Sequence, residues 1–393
     1  MMWIFNLHNG KAWKEITILV AVTSALVLAG SVRLRAQEAA SPRSTERLTR
    51  ADAQAYQGFG TSTSGGLAGV TVRVTNLNDS GPGSLRDAVS KGHRTVVFDI
   101  AGDIVLKRTL QVRGAFITID GFSAPSPGIT LRRFGLSISG ERGAHDVIVR
   151  GIRIRDAGID TDKEESDGIH IVRNAYNIII DHVSIQGSED GNLDIGSDSH
   201  DVTVSWSILA EPRGDGKNML IKFNPSRVSL HHNIFVRAQQ RNPQVAIDNA
   251  GTAASDITVD MRNNIVWDWN GGYGTLIWLG ASANVVNNFY SSPRSPAKHQ
   301  KEALVVGGAG RKEAKTNSQA RVYAAGNFSA DNLAEDINAA GSEKNPFPAA
   351  SVITQDACAA AQATLSGAGA RPLDAIDQQY LSTISLPACP ESR

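Results

Sequence analysis

Residues 165–195 read "ESDGIHIVRNAYNIIIDHVSIQGSEDGNLDI", and two features of this stretch recur along the chain. Runs rich in Ile and Val alternate with turns that contain Gly, Asn and Asp. Acidic residues also return at a nearly fixed interval of about two dozen positions, as from Asp167 to Asp190. An interval of this length is typical of a solenoid in which every repeat is one coil. The stretch therefore predicts a parallel β-solenoid.

The same interval continues into basic residues. Lys217 follows Asp194, and Arg241 follows Lys217, at the spacing that separates Asp190 from Asp167 to within one position. Residues one coil apart stack at about 4.8 Å in a parallel solenoid, so the charged residues of these coils should share one patch of surface. The predicted patch comprises Glu165, Asp167, Asp190, Asp194, Lys217 and Arg241.

Four carboxylates at such spacing repel one another unless a cation neutralises them. A hard divalent cation that takes carboxylate oxygens at about 2.3–2.6 Å suits this set, and calcium fits best. The neighbouring Lys217 and Arg241 would then favour an acidic substrate. The alternative is a solvated polar face on which charges simply alternate.

The rest of the chain has the same character. Similar runs extend from "RTVVFDI" (94–100) through "DVTVSWSIL" (201–209) to "NVVNNFY" (284–290). No long amphipathic helical pattern interrupts them. We therefore predict an all-β chain in which one repeat fold uses most of the 393 residues as a single domain.

Both ends of the predicted solenoid differ from its middle. Ser84 with Asp87 three residues later predicts a short helix that covers the open N-terminal end. The Ala-rich sequence that begins with "DACAAAQATLSG" (356–367) predicts a helical extension that packs against the solenoid. The predicted divisions are a signal peptide (1–36), a linker (37–56), the β-helix catalytic domain (57–345) and a C-terminal extension (346–393).

The N-terminal residues have the pattern of a secretory signal. Lys11 and Lys14 precede the apolar run 16–30, and Ala36 ends a plausible cleavage site. The run is shorter than the roughly 20 residues that a spanning helix needs. We expect export to the periplasm or the cell exterior, with no membrane attachment after cleavage; an uncleaved anchor is the alternative.

Charge and cysteine content limit the partners and the compartment. The 39 Lys and Arg residues balance 39 Asp and Glu residues, so the chain lacks the overall basic charge of a nucleic-acid-binding protein. The two cysteines, Cys358 and Cys389, are expected to pair in an oxidising compartment. Two free thiols are the alternative.

Several polar and aromatic residues are interpreted as structural. An asparagine recurs at one place in the later coils, which predicts a ladder of hydrogen-bonded amides: Asn233, Asn264, Asn288 and Asn327. Four other residues have neither triad nor metal-ligand spacing and are interpreted as core groups: Asp181, His182, His231 and His232. Four aromatic residues could stack on sugar rings or serve ordinary packing: Trp267, Trp269, Tyr273 and Trp278.

Several strings in the same order resemble the pectate lyases of the first polysaccharide lyase family. They are "VTNLNDSGPGSLRDAV" (74–89), "EDGNLDI" (189–195), "KNMLI" (217–221), "RNPQV" (241–245) and "GAGARPLDAIDQQYL" (367–381). The resemblance covers about residues 57–390. It implies a right-handed parallel β-helix, secreted, that cleaves polygalacturonate by calcium-dependent β-elimination to 4,5-unsaturated oligogalacturonides. The partner would be this acidic polysaccharide, and we expect the chain to act as a monomer.

The resemblance also assigns roles to residues. The family's calcium carboxylates fall on Glu165, Asp167, Asp190 and Asp194, and its catalytic lysine and arginine fall on Lys217 and Arg241. Two positions depart from the family pattern. Ala246 stands where the family has a second arginine that holds a substrate carboxylate, and Lys222 stands where it usually has glycine.

Two other classes of protein remain as alternatives. One is a polysaccharide hydrolase on the same fold, with two Asp residues as acid and base, although the "GHG" string of polygalacturonases is missing. The other is a binding or adhesion solenoid whose acids hold a structural calcium, which Ala246 mildly favours. Within the lyases, metal-free action on methylated pectin is disfavoured because all four acids are present.

Overall fold

The computed structural model describes residues 56–159, 167–214, 216–248, 256–293, 302–307, 320–330 and 337–387. This part of the chain contains 27 strands, which form three parallel sheets, and few helices. The predicted all-β solenoid is confirmed. Within the same ranges, no helix combines the length and the apolar character needed to cross a membrane.

The strands are short and follow one another closely along the chain. In chain order they are β1 (Val70–Val74), β2 (Arg94–Phe98), β3 (Gly102–Val105), β4 (Leu110–Val112), β5 (Ile117–Asp120), β6 (Ile129–Arg132), β7 (Leu136–Ser139), β8 (Val147–Arg150), β9 (Ile152–Arg155), β10 (Ile169–Val172), β11 (Tyr176–Asp181), β12 (Ser184–Gln186), β13 (Leu193–Gly196), β14 (His200–Ser205), β15 (Ile208–Ala210), β16 (Met219–Lys222), β17 (Ser226–His231), β18 (Ile234–Val236), β19 (Gln244–Ala246), β20 (Val259–Arg262), β21 (Ile265–Trp267), β22 (Thr275–Trp278), β23 (Ser282–Val286), β24 (Phe289–Ser291), β25 (Leu304–Val306), β26 (Arg321–Ala325) and β27 (Phe328–Ser329).

From β2 to β25, each coil contributes one strand to each sheet. Sheet 1 has the order β1-β2-β5-β8-β11-β14-β17-β20-β23-β26, sheet 2 has β4-β7-β10-β13-β16-β19-β22-β25, and sheet 3 has β3-β6-β9-β12-β15-β18-β21-β24-β27. The register explains the repeat in the sequence, since Ile178 pairs with Val202, the equivalent residue of the next coil. Inward Ile and Val side chains therefore stack on their counterparts and form one continuous core.

An asparagine ladder stabilises one corner of the later coils, as predicted. The Nδ2 of Asn233 donates to Oδ1 of Asn264 over 3.0 Å, and that of Asn264 donates to Oδ1 of Asn288 over 2.9 Å. Asn288 bonds Asn327 in the same way, and Asn327 in turn donates to Asn338. The first four of these amides are buried, so each bond satisfies groups that water cannot reach.

The N-terminal end carries the predicted helix, α1 (Leu85–Ala88). The Ser84 hydroxyl accepts a hydrogen bond from the Asp87 backbone N–H at 3.2 Å, and Leu85 and Ala88 are buried. Four 3₁₀ helices occur within the described ranges: Phe59–Ser62, Gly121–Ser123, Gly140–Arg142 and Ile337–Ala340. The signal-peptide prediction for 1–36 lies outside the described residues, and the proposed domain boundaries stay predictions.

The C-terminal extension packs on sheet 3 through α2 (Ala357–Gly367) and α3 (Ala375–Leu381). A buried ion network fixes α3 there. An Nη2 of Arg155 lies 2.8 Å from Oδ1 of Asp377 and 3.0 Å from Oδ2 of Asp374, and Arg155 is fully buried. Cys358 is buried in α2. Its predicted partner Cys389 lies outside the described residues, so the disulfide stays a prediction.

The histidines of "IDH" and "LHHN" lie where sheet 1 strands end, away from the predicted acidic patch. His182 Nδ1 is 2.7 Å from Oδ2 of Asp181, and the ring of His232 stacks on that of Trp206 with centroids 4.3 Å apart. These contacts support the structural interpretation. The four candidate sugar-stacking aromatics are all buried, which favours the packing alternative for Trp267, Trp269, Tyr273 and Trp278.

Candidate active site

The predicted charged residues lie at or near the N-terminal ends of consecutive strands of sheet 2. Asp167 precedes β10, Asp190 precedes β13, Lys217 precedes β16 and Arg241 precedes β19, each by two or three residues. Asp194 lies within β13, paired with His170 on one side and Leu220 on the other. Because these four strands are consecutive in the sheet, the fold brings five of the six predicted residues to one surface. Glu165, the sixth, lies outside the described residues.

The carboxylates of Asp167 and Asp194 both lie close to Gly191. The point at which a Cβ of residue 191 would lie is 2.7 Å from Oδ1 of Asp194 and 3.0 Å from Oδ1 of Asp167. Glycine at this position keeps that space open between two carboxylates. Backbone N–H groups hold both oxygens, because Gly191 donates to Asp167 and Leu220 donates to Asp194, each over 2.9 Å.

The electrostatics of Asp194 reflect its neighbours. Removal from bulk water raises the pKa of this carboxyl to about 7, and the charge of Asp190 acts in the same direction. The hydrogen bond from Leu220 and the charges of Arg241 and Lys217 act in the opposite direction and lower the pKa. Asp194 therefore interacts with an acid and two bases from three different coils.

The two bases enter this site from consecutive coils. Lys217 Nζ lies 3.9 Å from Oδ1 of Asp190, whose side chain is 58% exposed. Lys217 also forms a parallel bridge with Gln240, and the carbonyl of Arg241 accepts the Met219 N–H over 2.8 Å. The Nε of Arg241 is buried and has no hydrogen-bond partner among the described residues. The guanidinium therefore lies near enough to Asp194 to lower its pKa, and one of its N–H donors has no acceptor among the described residues.

A second asparagine ladder underlies the site, and the sequence reasoning missed it. Asn192 donates to Asn218 over 2.8 Å, and Asn218 donates to Asn242 over 2.9 Å. All three amides are buried. Asn218 and Asn242 directly follow Lys217 and Arg241, so the ladder sets the spacing of the two bases. Its signal in the sequence is an asparagine that recurs at the coil interval, one position after each base.

The donor set suits calcium in its chemistry. Carboxylate oxygens are the ligands that calcium prefers, and the space at Gly191 lies between two of them. Among the described residues, no group of three His, Cys, Asp or Glu side chains is arranged to hold a metal ion. A complete site would therefore also draw on Glu165 or on a new position of the exposed Asp190 side chain.

The two departures from the family pattern lie side by side. The pairing of Ile221 with Val245 places Lys222 beside Ala246 on the next strand. Ala246 is fully buried and pairs with Trp278 on its other side. Lys222 Nζ lies 3.3 Å from Oδ2 of Asp248. Lys222 therefore carries its positive charge one coil away from Ala246, the position at which the family carries an arginine.

Comparison with curated proteins shows what the chain is similar to. It is 35% identical over 239 residues to a probable pectate lyase C of Aspergillus oryzae, which covers 60% of this chain and 53% of that relative. Against the probable pectate lyase C of Emericella nidulans the identity is 37% over 238 residues, with 60% and 52% covered. The chain is thus similar in sequence to proteins named as probable pectate lyases. It spans about half the length of these curated relatives, and no protein-family model matches it.

Solved structures show which fold the chain shares. Jun a 1, the major allergen from cedar pollen, superposes with a TM-score of 0.62 at 21% identity, covering 81% of this chain and 93% of the other. A pectate lyase from Bacillus sp. N165, crystallised in complex with trigalacturonate, gives 0.59 at 16% identity, covering 80% and 98%. The predicted parallel β-helix and the predicted resemblance are both confirmed.

Proposed function

We propose that this chain is a secreted lyase that cleaves polygalacturonate by calcium-dependent β-elimination and releases 4,5-unsaturated oligogalacturonides. One observation carries the proposal. Two bases, Lys217 and Arg241, and the carboxylates of Asp167, Asp190 and Asp194 come together from consecutive strands of sheet 2. A structural calcium site alone would not call for two bases on the next coils.

In this proposal the acidic patch binds calcium. Asp167 and Asp194, whose carboxylate oxygens both lie near Gly191, would hold the ion, together with Asp190 and the predicted ligand Glu165. When bound, calcium would supply the positive charge that lowers the pKa of the C5 proton of a uronate residue. Relief of the repulsion between Asp190 and Asp194 favours its binding.

The two bases have separate roles. Lys217 places positive charge beside the substrate carboxylate, on which negative charge accumulates as the C5 proton leaves. Arg241 takes that proton, the C4–C5 double bond forms, and the C4–O bond breaks with its electron pair leaving on oxygen. A guanidinium is protonated over the ordinary pH range, so the neutral form needed for this step grows with rising pH. The proposal therefore expects activity that increases into alkaline pH.

The partner and the compartment follow from the same proposal. A curated relative is named a pectate lyase and a structural neighbour binds trigalacturonate, which supports an acidic polysaccharide as the substrate here. The pattern of residues 1–36 supports secretion. We propose that the chain acts alone, since one coil stack provides all the residues named.

The test is ultraviolet absorbance during incubation of the mature protein with polygalacturonate at alkaline pH. With calcium the absorbance of the unsaturated product should rise, and a chelator should stop the rise. Arg241→Ala and Lys217→Ala should lower the rate at least a hundredfold, whereas Arg113→Ala, at an exposed position of the N-terminal coils, should not change it. An acid optimum would reject Arg241 as the base.

A non-catalytic uronan-binding solenoid is the second candidate. One observation favours it: Ala246, at the position of a family arginine, is fully buried and presents no cation to a substrate. This candidate predicts calcium-dependent binding of polygalacturonate without any unsaturated product. Binding by calorimetry and product formation by absorbance therefore separate the two functions.

A further inference from the structure

We propose that a notch beside the acidic patch holds one uronate residue of the substrate, and that Lys222 recognises its carboxylate. This inference rests on the proposed function and adds a specificity-determining residue to it. The notch is a cavity of about 190 Å³ that Asp194 also lines. We call it the Gly196 notch, and its walls on three successive coils are Val172, Arg173, Gly196, Ser197, Lys222 and Phe223.

The notch exists because the middle coil has the smallest side chains. Gly196 pairs with Lys222 in the parallel register, and Ser197 follows Gly196 at the end of the strand. Arg173, Ser197 and Phe223 occupy equivalent corner positions, with left-handed φ angles of 59°, 50° and 66°. The two outer coils therefore form walls, and two inter-strand spacings separate them by roughly 10 Å. A gap of this width accepts a single sugar ring.

Lys222 gives this row its positive charge. The row runs Gly196, Lys222, Ala246 and Trp278 on four consecutive strands, and the methyl group of Ala246 is buried. A uronate that binds next to Asp194 needs a cation to neutralise its carboxylate. Lys222 lies two residues beyond Leu220, the strand partner of Asp194, and reaches the same notch.

The protein already positions the Lys222 ammonium. Its Nζ lies 3.3 Å from Oδ2 of Asp248 and 4.7 Å from the centroid of the Phe223 ring. An ammonium group has three donors, so the ion pair with Asp248 leaves donors for a substrate carboxylate. The opposite wall differs in exposure, because the Arg173 side chain, paired with Glu141, is 53% exposed, whereas that of Lys222 is 28% exposed. Lys222 is therefore the base that faces the notch with a fixed orientation.

Phe223 supplies an apolar surface for the same ligand. Its side chain is among the few large exposed apolar groups of the described residues, at 53% exposure. An exposed aromatic ring next to a cation suits a uronate, which has an apolar ring face and a charged carboxylate. The pair Lys222–Phe223 thus matches both parts of one sugar residue.

The experiment compares Lys222→Gln, Lys222→Arg and Phe223→Ser with the control Lys91→Gln, which changes an exposed lysine of the N-terminal coils. Rates are measured on polygalacturonate and on highly methyl-esterified pectin. Binding of trigalacturonate with calcium is measured by calorimetry in an Arg241→Ala background, where turnover should be at least a hundredfold slower. Thermal unfolding of each variant verifies that it is folded.

We expect Lys222→Gln to raise KM for polygalacturonate about tenfold with kcat within twofold, and to weaken trigalacturonate binding equally. Lys222→Arg should restore both values, and Phe223→Ser should weaken binding as well. Any residual rate on esterified pectin should change less than twofold, because its carboxylates are masked. Lys91→Gln should match the parent protein throughout.

The outcomes separate the notch from the lyase function. Product formation with Lys222→Gln indistinguishable from Lys91→Gln would overturn the notch alone. Trigalacturonate binding that depends on Lys222, without any unsaturated product from the parent protein, would overturn the lyase and support the notch. The absence of both binding and product would overturn the two together.

Discussion

Asn218 donates its Nδ2–H to Oδ1 of Asn242 over 2.9 Å, and this bond ties the residue after Lys217 to the residue after Arg241. The amide of Asn218 is buried and also donates to the carbonyl of Leu209. Two bases that must act on one substrate residue are thus spaced by a contact within the coil stack. Such a contact can affect the rate without touching the substrate.

Replacement of Asn218 tests this spacing. Asn218→Ala should lower kcat at least tenfold and cost about 1–3 kcal/mol of unfolding free energy, because it leaves buried partners unsatisfied. The control is Asn288→Ala, which breaks the other ladder at a similar depth and should lose stability but not kcat. Equal kcat in the two variants would show that the ladder near the bases serves stability alone.

Calcium should stabilise the protein through Asp194. In the absence of the ion, burial disfavours the ionised carboxyl, so Asp194→Asn should be at least as stable as the parent protein at pH 8. With calcium at about a hundred times its Kd, the parent should gain roughly 2.7 kcal/mol, and the variant should gain much less. Thermal unfolding with and without calcium measures both effects, and Asp99→Asn, an exposed carboxylate, serves as the control. An equal calcium response in all three proteins would contradict an ion site at Asp194.

Acid should destabilise the fold through His231. Burial and the neighbouring His232 lower the pKa of His231 to about 4. The unfolded chain binds this proton near pH 6.5 and the folded protein only near pH 4, so stability falls as the pH falls through that window, by roughly 3 kcal/mol in total. Denaturant unfolding at several pH values should show a shallower slope for His231→Gln. An unchanged slope would assign the acid sensitivity to other groups.

The C-terminal extension should depend on the Arg155–Asp377 ion pair. Both side chains are buried, so Asp377→Ala leaves the guanidinium of Arg155 with only the partly exposed Asp374 as a carboxylate partner and should cost up to about 3–5 kcal/mol. Limited proteolysis should then release α3 before it cleaves the coils. Arg73→Ala, which breaks an exposed pair with Asp99, should cost less than about 1 kcal/mol. Comparable losses for the two variants would contradict this account.

The coils were predictable because each one repeats the same pattern of Ile- and Val-rich strands and polar turns. Asn264 and Asn288 both stand directly before an apolar pair, Ile265–Val266 and Phe289–Tyr290, so their ladder was predictable from the residue pattern alone. Asn192 and Asn218 lie instead among charged residues, Asp190 and Lys217. The recurrence of these charges was the more evident pattern, so the recurrence of the amides was missed. The acidic and basic patch was predictable because its charges recur about once per coil, but the register pairs Asp194 with Leu220 and Lys217 with Gln240, so the charged residues do not stack directly on one another.

Features that depend on neighbouring coils could not be predicted from intervals. The Gly196 notch requires Gly196 and Ser197 to lie between Arg173 and Phe223, and this follows from the register of β10, β13 and β16. The burial of Trp269 and Tyr273 also depends on what covers them. An aromatic residue has the same place in the sequence whether it faces a sugar or the protein interior.

Asn338 closes the ladder of amides that begins at Asn233. Its Oδ1 accepts the backbone N–H and the side-chain Nδ2–H of Asn327 over 3.0 and 3.1 Å, and its own Nδ2 donates to the Asn327 carbonyl. An open ladder at the last coil would offer the same donors and acceptors to another chain. A residue outside the strands occupies them instead, so the ladder itself ends in a contact within the same chain and offers no unpaired amide of Asn327 to a neighbouring molecule.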